Sequence, residues 1–190
     1  MSNNDGITED VRKREEEYFR RKDRELIERL RQAAADAEMR KTLEHATGIH
    51  DAAQLEELQS LGFTPGTLAL LPLVPVLQVA WAEGGVSTAE RTMIVSLARS
   101  REIAAGSAAD VQLQAWLDTR PSEDTFRKAS RLIGAMLDQP AGAEMQVSAD
   151  DLMKYCEQIA QASGGLFGIG TVSAEEKAAL QQISAQLKAR

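Results

Sequence analysis

Apolar positions fall along this chain in two regimes that meet near residue 48. Neither glycine nor proline occurs between Ile7 and Thr47, which predicts one long helix from about Thr8–Asp10 to about His45 with Gly48 as its C-terminal cap. Before the alanines at 33–35, Val11, Tyr18, Phe19, Leu26, Ile27 and Leu30 are nearly all the apolar side chains this helix has. Tyr18, Phe19, Leu26, Ile27 and Leu30 form a narrow stripe, spaced by seven to eight and by three to four residues. A stripe so thin does not fix a helix in a core, but it is wide enough to lie in a groove. The residue pattern leaves three arrangements open: the helix docks weakly on its own domain, pairs with a second copy, or binds another protein.

From residue 50 onward, start and stop signals recur at short intervals. Asp51 opens a short helix carrying Leu55, Leu58 and Leu61 that ends at Gly62. Thr64-Pro65 opens the next stretch, which runs to Trp81 and must break near Pro72 and Pro75 before Gly84-Gly85. Ser87-x-x-Glu90 reads as a capping box for a helix with Met93, Ile94, Leu97 and Ala98 inward. Gly106-Ser107 starts a helix with Val111, Leu113, Trp116 and Leu117 inward, halted by Pro121. Ser122 caps one bearing Phe126, Ala129, Leu132, Ile133 and Met136, which ends before Pro140. Ser148 opens another with Leu152, Tyr155, Cys156 and Ile159. A glycine-rich link, Ser163 to Gly170, precedes a last helix from Ser173 to about Lys188. No segment alternates as a strand would, so the expected fold is all-α. The predicted organisation is a charged N-terminal recognition helix (residues 1–48) followed by a bundle of about six or seven helices (residues 49–190).

Charge sharpens that division. From Glu9 to Arg31, 17 of 23 residues are charged, nine basic and eight acidic, a net of +1 that leaves −8 for the rest of a chain totalling −7. Glu16–Arg20, Glu17–Arg21 and Glu25–Arg29 stand four apart, and each such pair adds about 0.2–0.5 kcal/mol to a solvated helix. The isoelectric point near 5.0 argues against general nucleic-acid binding, which favours a basic face. The run from Leu68 to Ala82 is 15 residues, interrupted by Gln78 and two prolines, where a spanning helix needs about 20; no membrane insertion is expected. The start, MSNNDGITED, has neither the charge nor the apolar run of a targeting peptide, so a cytoplasmic protein is expected. A single cysteine excludes an intramolecular disulfide framework.

One internal echo stands out. Val86-Ser87-Thr88-Ala89-Glu90-Arg91 is matched 86 residues later by Val172-Ser173-Ala174-Glu175-Glu176-Lys177. It fits either two similarly built halves or simply two helices that each need a cap.

Val79-Ala-Trp-Ala-Glu-Gly-Gly-Val-Ser-Thr-Ala-Glu-Arg91 resembles the A-x-A-D-G-x-V-x-x-x-E-R signature of TerB-like domains. Ala162-Ser-Gly-Gly-Leu-Phe-Gly-Ile-Gly-Thr-Val-Ser-Ala-Glu-Glu176 is similar to a late segment of bacterial members. The likeness covers roughly Phe63 to Leu187 and implies a compact, non-enzymatic helical bundle of a group named from tellurite-resistance operons. Glu83 stands where the family has aspartate. Some relatives are proposed to bind metal through such acids; with Glu83 and Glu90 the clear candidates nearby and no Asp-rich loop, no metal site is expected here.

Glu15-Glu16-Glu17-Tyr18-Phe19-Arg20, then Arg24-Glu25, Ile27 and Leu30, follow the pattern E-E-x-Y-F-R-x₃-R-E-x-φ-x-x-L, with φ apolar. This resembles the inhibitory segment of the mitochondrial ATP synthase inhibitor proteins over about 16 residues. The resemblance implies a helix that enters a catalytic interface of the rotary ATP synthase head and blocks hydrolysis. The family's His-rich coiled coil is absent, so its pH-controlled oligomer switch is not implied, although His45 and His50 lie just downstream. Partner-binding residues are then Glu15, Glu16, Tyr18, Phe19, Arg20, Arg24, Glu25, Ile27 and Leu30.

Catalytic constellations are weak by comparison. Gly164-Gly165-Leu-Phe-Gly168-Ile-Gly170 follows a helix rather than a strand, which removes the context of a phosphate-binding loop. His45 and His50 are five apart across a helix end and do not share a face as metal ligands would. Cys156 reads as a small core residue, and Asp150-Asp151 and Glu175-Glu176 as first-turn acids favoured by the helix dipole. No catalysis and no cofactor are expected; the reading is a helical binding protein.

Overall fold

The apolar run is where the fold is anchored. In the computed structural model, which describes residues 4–137, 148–162 and 172–188, Leu68–Leu73 forms a 3-10 helix containing Pro72. Val74–Ala80 follows as a short α-helix with Pro75 in its first turn, where a missing N–H costs nothing. Every residue from Leu70 to Ala80 is buried. In chain order the α-helices are α1 (Asn4–Thr47), α2 (Ala52–Ser60), α3 (Val74–Ala80), α4 (Thr88–Ser100), α5 (Ala108–Asp118), α6 (Glu123–Leu137), α7 (Ala149–Ala162) and α8 (Ala174–Lys188). No strand occurs among the described residues, and the protein is all-α. Helix α3 lies against α4, α6, α7 and α8; α6 also packs on α8 and α2, and α5 on the 3-10 segment.

The starts follow the capping residues. Side-chain oxygens of Asp51, Ser107, Ser122 and Ser148 accept from the amides of Gln54, Asp110, Thr125 and Asp151 at 2.9–3.1 Å. Gly62, at φ +82°, turns the chain out of α2 so that the amide of Phe63 reaches back to the carbonyl of Leu58 at 3.1 Å. Phe63 is then fully buried, its ring edge-on to Trp116 at 5.9 Å.

The chain divides into two compact units, residues 1–41 and 42–190. The division cuts α1 inside its last turns, ahead of the expected boundary at residue 48. The reason is chemical: Leu43 and Thr47 are completely buried, and Ile49 almost so. The Thr47 hydroxyl donates to the carbonyl of Leu43 at 2.7 Å and accepts from the amide of Ile49 at 3.2 Å. The helix stops at Gly48, φ +67°. It also starts earlier than expected, at Asn4.

Two expected inward residues are exposed: Met93 and Val111. Helix α5 buries Ala109, Leu113 and Leu117, four apart, and Val111 stands half a turn round from that row. In α4 the buried row is Glu90, Ile94 and Ala98, which leaves Met93 at its margin and Leu97 half-buried. The glycine-rich link at 163–170 and the stop at Pro140 lie outside the described residues.

The same helix should therefore respond oppositely to equal truncations. Leu43→Ala, in a fully buried position, is expected to cost about 2–5 kcal/mol. Leu26→Ala, in the exposed part, should stay within about 0.5 kcal/mol when measured on the dilute single chain. Urea unfolding of both variants against the parent checks this.

Candidate functional site on the N-terminal helix

Residues 14–38 of α1 are exposed without interruption. Arg12 and Arg20 each approach Glu16, at 3.7 and 3.8 Å, and Lys22 donates to Glu25 at 3.3 Å. Glu25 thus pairs backward with Lys22, whereas the sequence suggested Arg29. Arg21 lies 5.7 Å from the centre of the Tyr18 ring, and Lys22 at 5.8 Å. Such contacts are screened and individually weak, but they hold the segment helical without a core.

Large apolar side chains stand in the same solvent. Tyr18 is 49% exposed, Phe19 62%, Leu26 56%, Ile27 47% and Leu30 61%. Two of them share a contact, Tyr18 and Phe19, edge-to-face at 5.9 Å. Glu15, Glu16, Arg20, Arg24 and Glu25 are exposed beside them, so the nine residues singled out by the sequence share one accessible stretch of helix.

Other chemistry-bearing groups are structural. Both halves of the internal echo form complete capping boxes. The amide of Ser87 donates to Glu90 Oε2 at 2.7 Å and that of Glu90 to Ser87 Oγ at 3.2 Å; the Ser173–Glu176 pair repeats this at 2.8 and 3.1 Å. Glu90 is 3% and Glu176 1% exposed. Burial raises the Glu90 carboxyl above its usual range, hydrogen bonds from Ser87 oppose this, and the charges of Glu176 and then Glu83 add to the rise. The two caps are therefore electrostatic neighbours, a relation that the repeated Val-Ser-x-x-Glu hinted at but did not place. Among the described residues no three His, Cys, Asp or Glu side chains are arranged to hold a metal ion.

Asp110 accepts from the amide of Gly106 at 2.8 Å and from Arg99 at 2.7 Å, which hold its carboxyl below the usual range and tie down the α4–α5 turn. Burial pushes the Cys156 thiol up to about 12, well away from nucleophilic use. His45 and His50 are exposed, and His50 Nδ1 is 2.8 Å from Glu44. A cleft of about 270 Å³ between α4 and α7 is walled by Met93, Leu97, Tyr155 and Ile159, with no carboxylate, histidine or cysteine in its lining. It explains the exposed Met93, which helix periodicity placed inside.

No protein-family model, curated protein or solved structure matches this chain.

Glu90 carries a pH signature. Its carboxyl binds a proton more tightly folded than unfolded, so the folded state holds more protons in the interval above the ordinary glutamate range, and stability falls as pH rises through it. Glutamine keeps the capping box and removes the charge. Glu90→Gln should thus melt higher than the parent at neutral pH, with the advantage shrinking on mild acidification. Thermal melts across that range measure it.

Proposed function

We propose that this chain is a non-enzymatic binding protein in which a helical bundle carries an N-terminal recognition helix. One observation supports the reading above others. Of the seven large apolar side chains exposed among the described residues, five lie between Tyr18 and Leu30 on one helix. An apolar row on an intrinsically helical, charge-rich segment suits helix-in-groove recognition, with the apolar side chains giving affinity and the charges setting register. Glu15, Glu16, Arg20, Arg24 and Glu25 take the second role. The bundle of residues 49–190 is read as a TerB-like scaffold, on the resemblance over roughly Phe63 to Leu187, with no reaction assigned to it.

The catalytic head of the rotary ATP synthase is the first partner to test. The support is the order Tyr18-Phe19-Arg20, Arg24-Glu25, Ile27 and Leu30, together with the exposure of every one of these side chains. Full-length protein should inhibit ATP hydrolysis by that head. A buried interface aromatic commonly contributes about 2 kcal/mol or more, roughly thirtyfold in affinity. Phe19→Ala should raise the half-inhibitory concentration by about that factor, and Glu28→Ala, a single exposed charge, by far less. Unchanged hydrolysis at saturating protein during turnover would remove the synthase as the partner.

A further inference from the structure

The exposed face of α1 has a finer order than a stripe. Phe19, Leu26 and Ala33 are seven apart, and Leu30 and Ala37 interleave at spacings of four and three. With Phe19, Leu26 and Ala33 at the d positions of a heptad, Arg40 is the next d, and Glu16, Asp23, Leu30 and Ala37 take the a positions. Five of these eight are apolar, the five lying between Phe19 and Ala37. All eight are exposed. That spacing is the pattern of a coiled-coil seam.

The charges beside the seam select the second strand. The g positions are Glu15, Lys22, Arg29 and Asp36, and the e positions Arg20, Ile27, Ala34 and Lys41. In a parallel, in-register pair each g residue faces the e residue five further along the other copy. This sets Glu15 against Arg20 and Asp36 against Lys41, each formed twice, while Lys22 and Arg29 lay their stems over Ile27 and Ala34. No like charges meet across these flanks. An antiparallel pair with Leu26 opposite Leu30 brings Arg29 onto Arg29 and forms only Lys22–Asp36 as an opposite pair. Asp23 is the polar residue inside the seam, with Glu16 and Arg40 at its two ends. Each faces its own copy, which weakens the coil, and the interior Asp23 restricts its register.

We infer that residues 15–41 of α1 join two copies of this chain as a parallel coiled coil, with Phe19, Leu26 and Leu30 as the buried seam. The inference rests on the reading of α1 as a recognition helix and names a partner for it. About 40 Å of helix is involved, and both chains leave the coil at the same end. Tyr18 falls at a c position, off the seam, where it remains open to a different protein.

Sedimentation of the full chain tests this. The protein should show reversible dimerisation, approaching about twice 20.7 kDa at high concentration. Leu30→Asp should raise the dissociation constant by more than roughly tenfold while leaving the thermal melt unchanged at concentrations where the parent is also a monomer, because the side chain is exposed in the single chain. Asp23→Leu should lower that constant, Arg20→Glu should raise it, and adding Glu15→Arg to Arg20→Glu should recover part of the loss. Tyr18→Ala should leave it unchanged. Ala37→Cys should cross-link to its own copy under oxidising conditions, since the antiparallel pair holds the two positions about 27 Å apart. Cys156 is buried, its thiol pushed up to about 12, and does not compete. A monomer at every concentration, a dimer indifferent to Leu30→Asp, or no cross-link from Ala37→Cys each overturns the inference. The dimer covers Phe19 and Leu30, which the inhibitor reading places against the synthase, so that reading concerns the dissociated chain and is decided by the hydrolysis assay rather than by sedimentation.

Discussion

A seven-residue helix cannot hold itself together in water, and α3 is that short and buried at every position. The surrounding bundle follows from the need to cover it on all sides, with α4, α6, α7 and α8 each presenting an apolar row. Covering helices have to begin at the right places, and six of the helix starts in this unit have a side-chain oxygen on the amide three residues on. Their ends are closed as specifically. The Trp81 indole N–H donates to the carbonyl of Trp116 at 2.9 Å, and Arg91 donates to the carbonyl of Leu117 at 2.9 Å and to Asp118 at 2.6 Å. Trp81, just after α3, and Arg91, in the first turns of α4, thus satisfy two orphan carbonyls at the end of α5.

Helix existence and starts were legible because caps are local: an Asp or Ser followed by an apolar row is a signal complete within a few residues. Burial was less legible, because it depends on which neighbour a face meets. Val111 sits in an apolar sequence context yet faces solvent, and Met93 became the wall of a cleft once Tyr155 and Ile159 of α7 arrived beside it. The proximity of Glu90 and Glu176 was the least accessible feature, since a repeated motif reports similar construction and says nothing of distance. The nine N-terminal residues are accessible, because a segment with so few apolar side chains has no means of hiding them.

One continuous helix carries both of the chain's habits. Its last turns have Leu43 and Thr47 in the core, and its earlier turns have no such anchor and are held by side-chain pairs along the helix itself. The change occurs without a glycine, a proline or a break in the hydrogen-bonded backbone. Composition alone divides the helix into a part that folds with the bundle and a part whose apolar atoms stay in water. Exposed leucine and phenylalanine carry a standing free-energy cost of hydration, and a complementary surface removes it.

The single interior thiol gives the bundle an internal clock. Cys156 sits in the buried row of α7, fully covered, and its proton is held so tightly that a reagent in solution meets almost no thiolate. Chemical modification has to wait for α7 to leave its seat. When reclosing outpaces the reagent, the modification rate reports the equilibrium population of opened molecules; when the reagent is faster, it reports the opening rate itself. One atom, placed there by packing, separates how often this bundle opens from how long it stays open.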